Sequence, residues 1–413
     1  MKQVCVDCGA EQAWREYGIS CSCGGRMEGV QDLRGLDGEK LKALFKERLA
    51  ERLSVYASGV WRYKELIDPQ LPPEHIVTKY EGNTGLYTSG AIREKLGIRE
   101  LYFKAQSENP SGSFKDNGMT AAVSHGRMLG YTRFACASTG NTSSSLAMYA
   151  AMAGCSSQVF VPSHSVSANK VLQTMAYGAQ VIRFDGTYDD GIRFLEQHGK
   201  ELGLYVCNSV NPLRIEGQKS IIYEIAQSLN WELPEWIIIP GGALSNVSAL
   251  GKGLSDLHSL GMISKLPRIA LIQAEGASPF HRMMAEGREE LVPEPKPFTK
   301  ASALNIGHPP SWQIARRALR LCQGVTCSVT DEEILEAKRM IDRSGIGCEP
   351  ASASTLAGLT KLMREQVIDK DERALCILTG NLLKDTDILT ETVSSPAYAK
   401  LTVEAVQKSM ETA

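Results

Sequence analysis

The stretch NPSGSFKDNG, residues 109–118, sets Lys115 between Phe114 and Asp116 where a loop gives way to the first turn of a helix. A lysine withdrawn from water gives up its charge and becomes a nucleophile toward carbonyl carbon. Two other stretches carry the small polar residues that gather backbone N–H groups around an anion: STGNTSSS, residues 138–145, and PGGALSN, residues 240–246. The second follows the apolar run WIII and opens a helix, so its N–H groups and the helix dipole form a cradle for phosphate. The first is a nest suited to a carboxylate. Taken singly, such clusters are ordinary helix caps and turns. The PGGALSN run is neither a G-x-G-x-x-G fingerprint nor a P-loop, because no Lys-Ser/Thr follows.

In combination, a nucleophilic lysine, a phosphate cradle and a carboxylate nest describe a site for pyridoxal phosphate held as a Schiff base and acting on an amino acid. A separate group stands near the N-terminus. Cys5, Cys8, Cys21 and Cys23 form two close pairs, twelve residues apart, each followed by glycine. This is the layout of a zinc ribbon, although the second pair is C-x-C. Two readings stay open: a structural zinc on four thiolates, or a metal-free knuckle of the same shape. A catalytic zinc is excluded, since four thiolates leave no open position. The other seven cysteines lie singly in apolar segments such as RFACAS and ALCILTG, as small reduced hydrophobes.

Such loops need a scaffold. Residues 39–67 show apolar spacing of helical period. From about residue 99 short β-rich runs alternate with amphipathic segments, as in TRFACAS followed by NTSSSLAMYAAMAG, and EWIIIPGG followed by NVSALGKGLSDLHSLG. This alternation predicts parallel sheets flanked by helices. The expected organisation is α/β, with a Cys-knuckle over residues 1–30, a large domain from residues 31–125 and 206–413, and a small inserted α/β domain over 126–205, the site lying in the cleft between the two α/β domains.

The chain has 413 residues, 43% hydrophobic and 22% charged, with a formal charge of −2 and no long run of one sign. That excludes electrostatic capture of nucleic acid or an anionic membrane as a principal activity. No apolar run reaches the ~18–20 residues of a membrane span, and the first residues lack a secretory layout, so the expected location is cytoplasmic.

Read in order, the chain resembles the threonine synthases of the plant-like type, within the fold type II family of pyridoxal-phosphate enzymes (tryptophan synthase β-like). The resemblance runs through the cysteine knuckles, YASGVWRYKELI, EGNTGL, NPSGSFKDNGM, CASTGNTSSS, NSVNPLRIEGQK, the PGG…N loop, CEPASAS and LTGNLLKD. GSFKD and STGNT are shared with threonine and serine dehydratases, whereas SGVWRYKEL and NSVNPLRIEGQK are particular to threonine synthases. The resemblance implies that Lys115 carries the cofactor and then moves protons, with Phe114 beside the ring. It implies that Asn141 meets the phenolic oxygen and Thr379 faces the pyridine nitrogen, while Gly241, Gly242, Ala243, Leu244, Ser245 and Asn246 hold the cofactor phosphate. It assigns the substrate carboxylate to Ser138, Thr139 and Thr142, and the substrate's own phosphate to Asn208, Ser209 and Arg214, with Lys219 left as a surface helix residue.

The implied reaction turns O-phospho-L-homoserine and water into L-threonine and phosphate, in a homodimer. The alternatives are a paralogue such as cysteate synthase, which takes O-phosphoserine and sulfite; a threonine or serine dehydratase, which needs no second phosphate site; and a non-catalytic relative that binds a phosphorylated ligand. Ala243 and Ser245 replace the Asn and Gly usual in the phosphate loop, Ser111 a threonine, and Leu382 a glycine, so the local backbone at Ser245 and Leu382 is in question.

Overall fold

The computed structural model describes residues 1–16, 18–163, 168–393 and 395–411. Three sheets organise them. The N-terminal sheet is antiparallel, with β1 (Lys2–Cys5) between β2 (Glu11–Ala13) and β3 (Met27–Val30). The largest sheet is built from β4 (Leu86–Tyr87), β5 (Glu100–Ala105), β10 (Trp236–Pro240), β11 (Arg268–Ala274), β12 (Val325–Val329) and β13 (Arg373–Leu378). Its order is β12-β11-β10-β13-β5-β4, parallel except for the short edge strand β4. The third sheet, β6 (Arg133–Ala137), β7 (Ser156–Pro162), β8 (Gln180–Phe184) and β9 (Tyr205–Val206), is wholly parallel in the order β8-β7-β6-β9.

The central strands of the large sheet are buried on both faces, as parallel sheets covered by helices require. In β10 the side chains alternate between two cores: Ile237 and Ile239 join Leu271, Leu375 and Ile377, while Trp236 and Ile238 join Ile272, Cys376 and Leu378. Because β5, β13 and β10 are neighbours and parallel, the loops that leave their carboxyl ends emerge side by side. Those loops carry Lys115, Thr379 and the PGGALSN run. On the smaller sheet, neighbours β6 and β9 likewise bring the STGNT loop beside Asn208 and Ser209.

Helix Lys115–Met128 is enclosed from Asp116 to Gly126 because it lies between two other helices, Pro212–Gln218 and Asn141–Met152. The approach to Pro212–Gln218 is close enough that glycine is required at the crossing. A Cβ on Gly118 would stand 2.6 Å from the Arg214 carbonyl oxygen, and one on Gly217 2.2 Å from that of Asn117.

Lys219 corrects an expectation. It is 1% exposed, with Nζ 2.7 Å from Glu216 and 2.9 Å from Asp256, and Lys252 also pairs with Glu216. A lysine near a helix end reads as solvated; here Glu216, one turn earlier, and Asp256, from the packed helix Ser245–Ser259, together hold it in the interior.

Candidate active site

Lys115 owes its place to two backbone hydrogen bonds and one carboxylate. Phe114 N–H donates to the Thr379 carbonyl at 2.9 Å, and Asn381 N–H to that of Gly112 at 2.9 Å, so the loop before the helix pairs antiparallel with the chain leaving β13. Asp116 then folds back: Oδ2 accepts from Ser111 N–H at 2.7 Å, and Oδ1 from the Ser111 hydroxyl at 2.6 Å and the Ser145 hydroxyl at 2.5 Å. The carboxylate closes the loop ahead of Lys115 and ties it to helix Asn141–Met152. Burial pushes its pKa up to about 6 against these hydrogen bonds.

The Lys115 amine lies 4.1 Å from the centre of the Phe114 ring. Burial first, and the positive Arg214 second, hold its pKa down at about 7, with Glu349 opposing. An amine in that range is substantially neutral, hence nucleophilic, near neutral pH.

Glu349 joins the two sheets. It is 5% exposed, just ahead of helix Pro350–Arg364; Oε2 accepts from Asn141 Nδ2 at 2.9 Å and Oε1 from the Thr379 hydroxyl at 3.3 Å. Thr379 Oγ1 also lies 3.0 Å from the Ser352 hydroxyl. Burial raises the Glu349 pKa above the usual carboxylate range. Asn141 and Thr379, far apart in sequence, thus meet through one carboxylate.

Arg214 is fully buried. Its Nη1 donates to the Cys207 carbonyl at 3.1 Å, while Nε and Nη2 have no protein partner. A buried guanidinium held by one bond and offering two parallel donors is shaped for an oxyanion. Asn208 is committed to the scaffold, bridging the Ala137 N–H (3.0 Å) and carbonyl (2.9 Å) on β6, with the Tyr188 hydroxyl beside its amide. Its contribution is to fix this corner, with at most one amide hydrogen to spare. Ser209 is buried on the same turn. Ser138 is buried and accepts from Gly140 N–H at 3.2 Å, while Thr139 and Thr142 are half-buried at the start of the following helix.

In the PGGALSN run the turn falls on Leu244, in the left-handed region at φ 65°, and Ser245 opens helix Ser245–Ser259. Ser245 is not among the residues with positive φ, nor is Leu382, so the backbone at neither position calls for a glycine. Gly242 does matter, since a Cβ there would stand 2.8 Å from the Ala303 carbonyl oxygen. Asn246, 6% exposed, leaves Nδ2 without a protein partner, as does the Ser113 hydroxyl next to the lysine loop.

The structure adds residues that sequence reasoning missed. Glu349 carried a signal, an acid ahead of a proline-initiated helix within CEPASAS, but its role needs the contact with Asn141. Asp116 was visible as the neighbour of Lys115, without its bond to Ser111. Tyr188 is 38% exposed as a residue, yet burial around its hydroxyl pushes the pKa of that group up to about 12. Lys384 donates to Gln173 at 2.6 Å and to the Ser144 hydroxyl at 3.1 Å, spanning from the β13 loop to the smaller sheet's helices.

Residues 77–380 match the family of pyridoxal-phosphate dependent enzymes. The chain is 42% identical over 397 residues to the threonine synthase of Methanocaldococcus jannaschii, covering 96% of each chain. It is 39% identical over 410 residues to that of Methanosarcina acetivorans, covering 98% of each. The solved threonine synthase from Escherichia coli has the same fold at a TM-score of 0.71, with 16% identity, 99% of this chain and 94% of that one covered. With the lysine at the joined carboxyl ends of β5 and β13, and the match running along nearly the whole chain, this protein belongs to the pyridoxal-phosphate dependent enzymes and, among them, to the threonine synthases.

Proposed function

We propose that the protein converts O-phospho-L-homoserine and water into L-threonine and phosphate. The observation that carries the substrate class is Arg214, which offers a second oxyanion position apart from the Gly241–Asn246 cradle and electrostatically coupled to Lys115. A dehydratase acting on an unphosphorylated amino acid has no use for that guanidinium.

The residues fit pyridoxal phosphate. The unpartnered Asn246 Nδ2, the N-terminus of a long helix and the close-packed Gly242 suit its phosphate; Asn141 and Thr379 suit its ring oxygen and ring nitrogen. When bound, the cofactor supplies the electron sink that makes protons on substrate carbons removable. Lys115 Nζ holds the cofactor and, once released, takes and returns protons at substrate carbons. Its low pKa suits both roles near neutral pH. Thr379 presents a hydroxyl, which does not hold a ring nitrogen protonated as a carboxylate would, so proton placement governs the outcome. Arg214 binds the leaving phosphate, with Ser209 beside it and Asn208 fixing the turn. Ser138, Thr139 and Thr142 receive the substrate carboxylate at the amino end of helix Asn141–Met152.

We place the enzyme in the cytoplasm as a homodimer. Free thiols throughout the chain accord with a reducing compartment, and no helix among the described residues is long and apolar enough to cross a membrane. The test is a panel of phosphorylated amino acids, following phosphate and amino-acid products together. Phosphohomoserine should give equal phosphate and threonine. Faster phosphate release from phosphoserine, with cysteate formed when sulfite is supplied, would overturn the reading in favour of the paralogue.

A further inference from the structure

The four N-terminal cysteines take no part in the site above, yet the fold gathers them. One sulfur from each of Cys5, Cys8, Cys21 and Cys23 lies within 4.8 Å of all the others. Cys5 Sγ and Cys23 Sγ are 3.6 Å apart, and Cys8 Sγ and Cys21 Sγ 3.7 Å. A tetrahedron with metal–sulfur arms of about 2.3 Å has edges of about 3.8 Å. The sulfurs are therefore spaced for a common ion and too far apart for disulfides, whose bond is about 2.0 Å.

The backbone is built to the same end. The turn after Cys5 closes with Gly9 N–H on the Cys5 carbonyl (3.0 Å), the turn after Cys21 with Gly24 N–H on the Cys21 carbonyl (2.9 Å), and both glycines have positive φ. Gly25 N–H donates to Cys23 Sγ at 3.4 Å, and a Cβ on Gly25 would stand 2.6 Å from Cys5 Sγ. A small sheet with so little apolar interior folds poorly without such a clasp.

The sheet clasped in this way lies against the helix that carries Arg214. Strand β3 packs on Pro212–Gln218 so closely that a Cβ on Gly29 would stand 3.0 Å from the Glu216 carboxyl group. Lys252 bonds both the Gly29 carbonyl and Glu216, and Arg317 holds Glu28 at 2.7 Å. On the opposite side of that helix lies Lys115–Met128, at the Gly118 and Gly217 crossing.

We propose that Cys5, Cys8, Cys21 and Cys23 bind one zinc ion in a closed tetrathiolate site, and that the loaded module braces helix Pro212–Gln218 from behind and so keeps Arg214 in place. Four thiolates select a soft divalent ion and leave no coordination position for a reactant, so the role is structural. The bracing half rests on Arg214 binding the substrate phosphate.

The experiment compares cofactor-loaded native protein with a Cys8→Ser/Cys21→Ser variant, both prepared without chelator. Native protein should carry close to one zinc per chain. Grown with cobalt, it should show the visible bands of tetrahedral cobalt thiolate; the variant should show neither. Absence of metal, iron in place of zinc, or two disulfides by mass would overturn the site. In the variant, backbone hydrogen exchange should quicken in β1–β3 and in residues 212–218, and KM for the phosphorylated substrate should rise about tenfold with kcat changed less than twofold, while the cofactor absorbance persists. Unchanged exchange in residues 212–218 would overturn the brace. Faster exchange there without a change in KM would instead tell against the phosphate role of Arg214, leaving zinc and brace standing.

Discussion

At the residue scale, the proposed chemistry turns on one lysine between a cation and an anion. Burial and Arg214 lower the Lys115 pKa to about 7 and Glu349 opposes them, so the amine is protonated and unreactive below that pH and nucleophilic above it. Capture of added pyridoxal phosphate by the stripped protein should accelerate as pH rises through about 7 and then level off. Stopped-flow absorbance checks this, and an inflection near the ordinary lysine value would refute it. Arg214→Ala removes the lowering charge and should move the inflection up; Glu349→Gln removes the raising charge and should move it down. Lys115→Ala should abolish capture, with borohydride trapping no adduct at that position. Hydrogen bonds to a charged group contribute about 1.5–3 kcal/mol each, so losing two at Arg214 should reduce kcat/KM for the phosphorylated substrate by at least about a hundredfold. Cofactor absorbance should survive, and Arg214→Lys should recover only part of the loss, since a point charge cannot reproduce the two-pronged contact.

At the element scale, two helices are held at a separation that only glycine permits. Gly217→Ala would drive a methyl against the Asn117 carbonyl oxygen, which stands 2.2 Å from the Cβ position. Backbone on both sides leaves no flexible side chain to yield. Overpacking of this kind costs about 1–3 kcal/mol. The thermal midpoint should fall, and activity at permissive temperature should fall further than stability alone accounts for, because the helix that shifts carries Arg214. Thermal melts alongside steady-state kinetics check this; normal KM at reduced stability would show that the crossing serves packing only.

For the whole molecule, the carboxyl ends of two parallel sheets supply the candidate site, and buried ion pairs fasten the elements behind it. Lys219 sits between Glu216 and Asp256, within reach of the N-terminal sheet through Lys252. Lys219→Ala strips Asp256 of its cation and leaves Glu216 with Lys252 alone. Breaking a buried pair from one side typically costs about 3–5 kcal/mol, so this variant should be among the least stable single substitutions, as measured by denaturation of the cofactor-loaded protein. Lys219→Met with Asp256→Leu should recover much of the loss, because it removes charge from both sides.

The local signals survive without any fold. Apolar runs such as WIII mark strands, small polar residues mark the loops between strand and helix, and a lysine in GSFKD marks the candidate for covalent chemistry, because all of these depend on neighbours a few residues away. The order of the motifs was enough to point to the family, and with it to the cofactor. What lies across the sheet was out of reach: that Glu349 would join Asn141 to Thr379, that Asn208 would be spent on β6, and that Lys219 would be buried. The question over Ser245 likewise closed only when the left-handed turn was found at Leu244. These facts rest on strand order and on the crossing at Gly118 and Gly217, which bring distant residues within hydrogen-bonding reach. A sequence records which groups are present and what lies beside them along the chain; burial, pairing and the resulting pKa come from neighbours supplied by the fold.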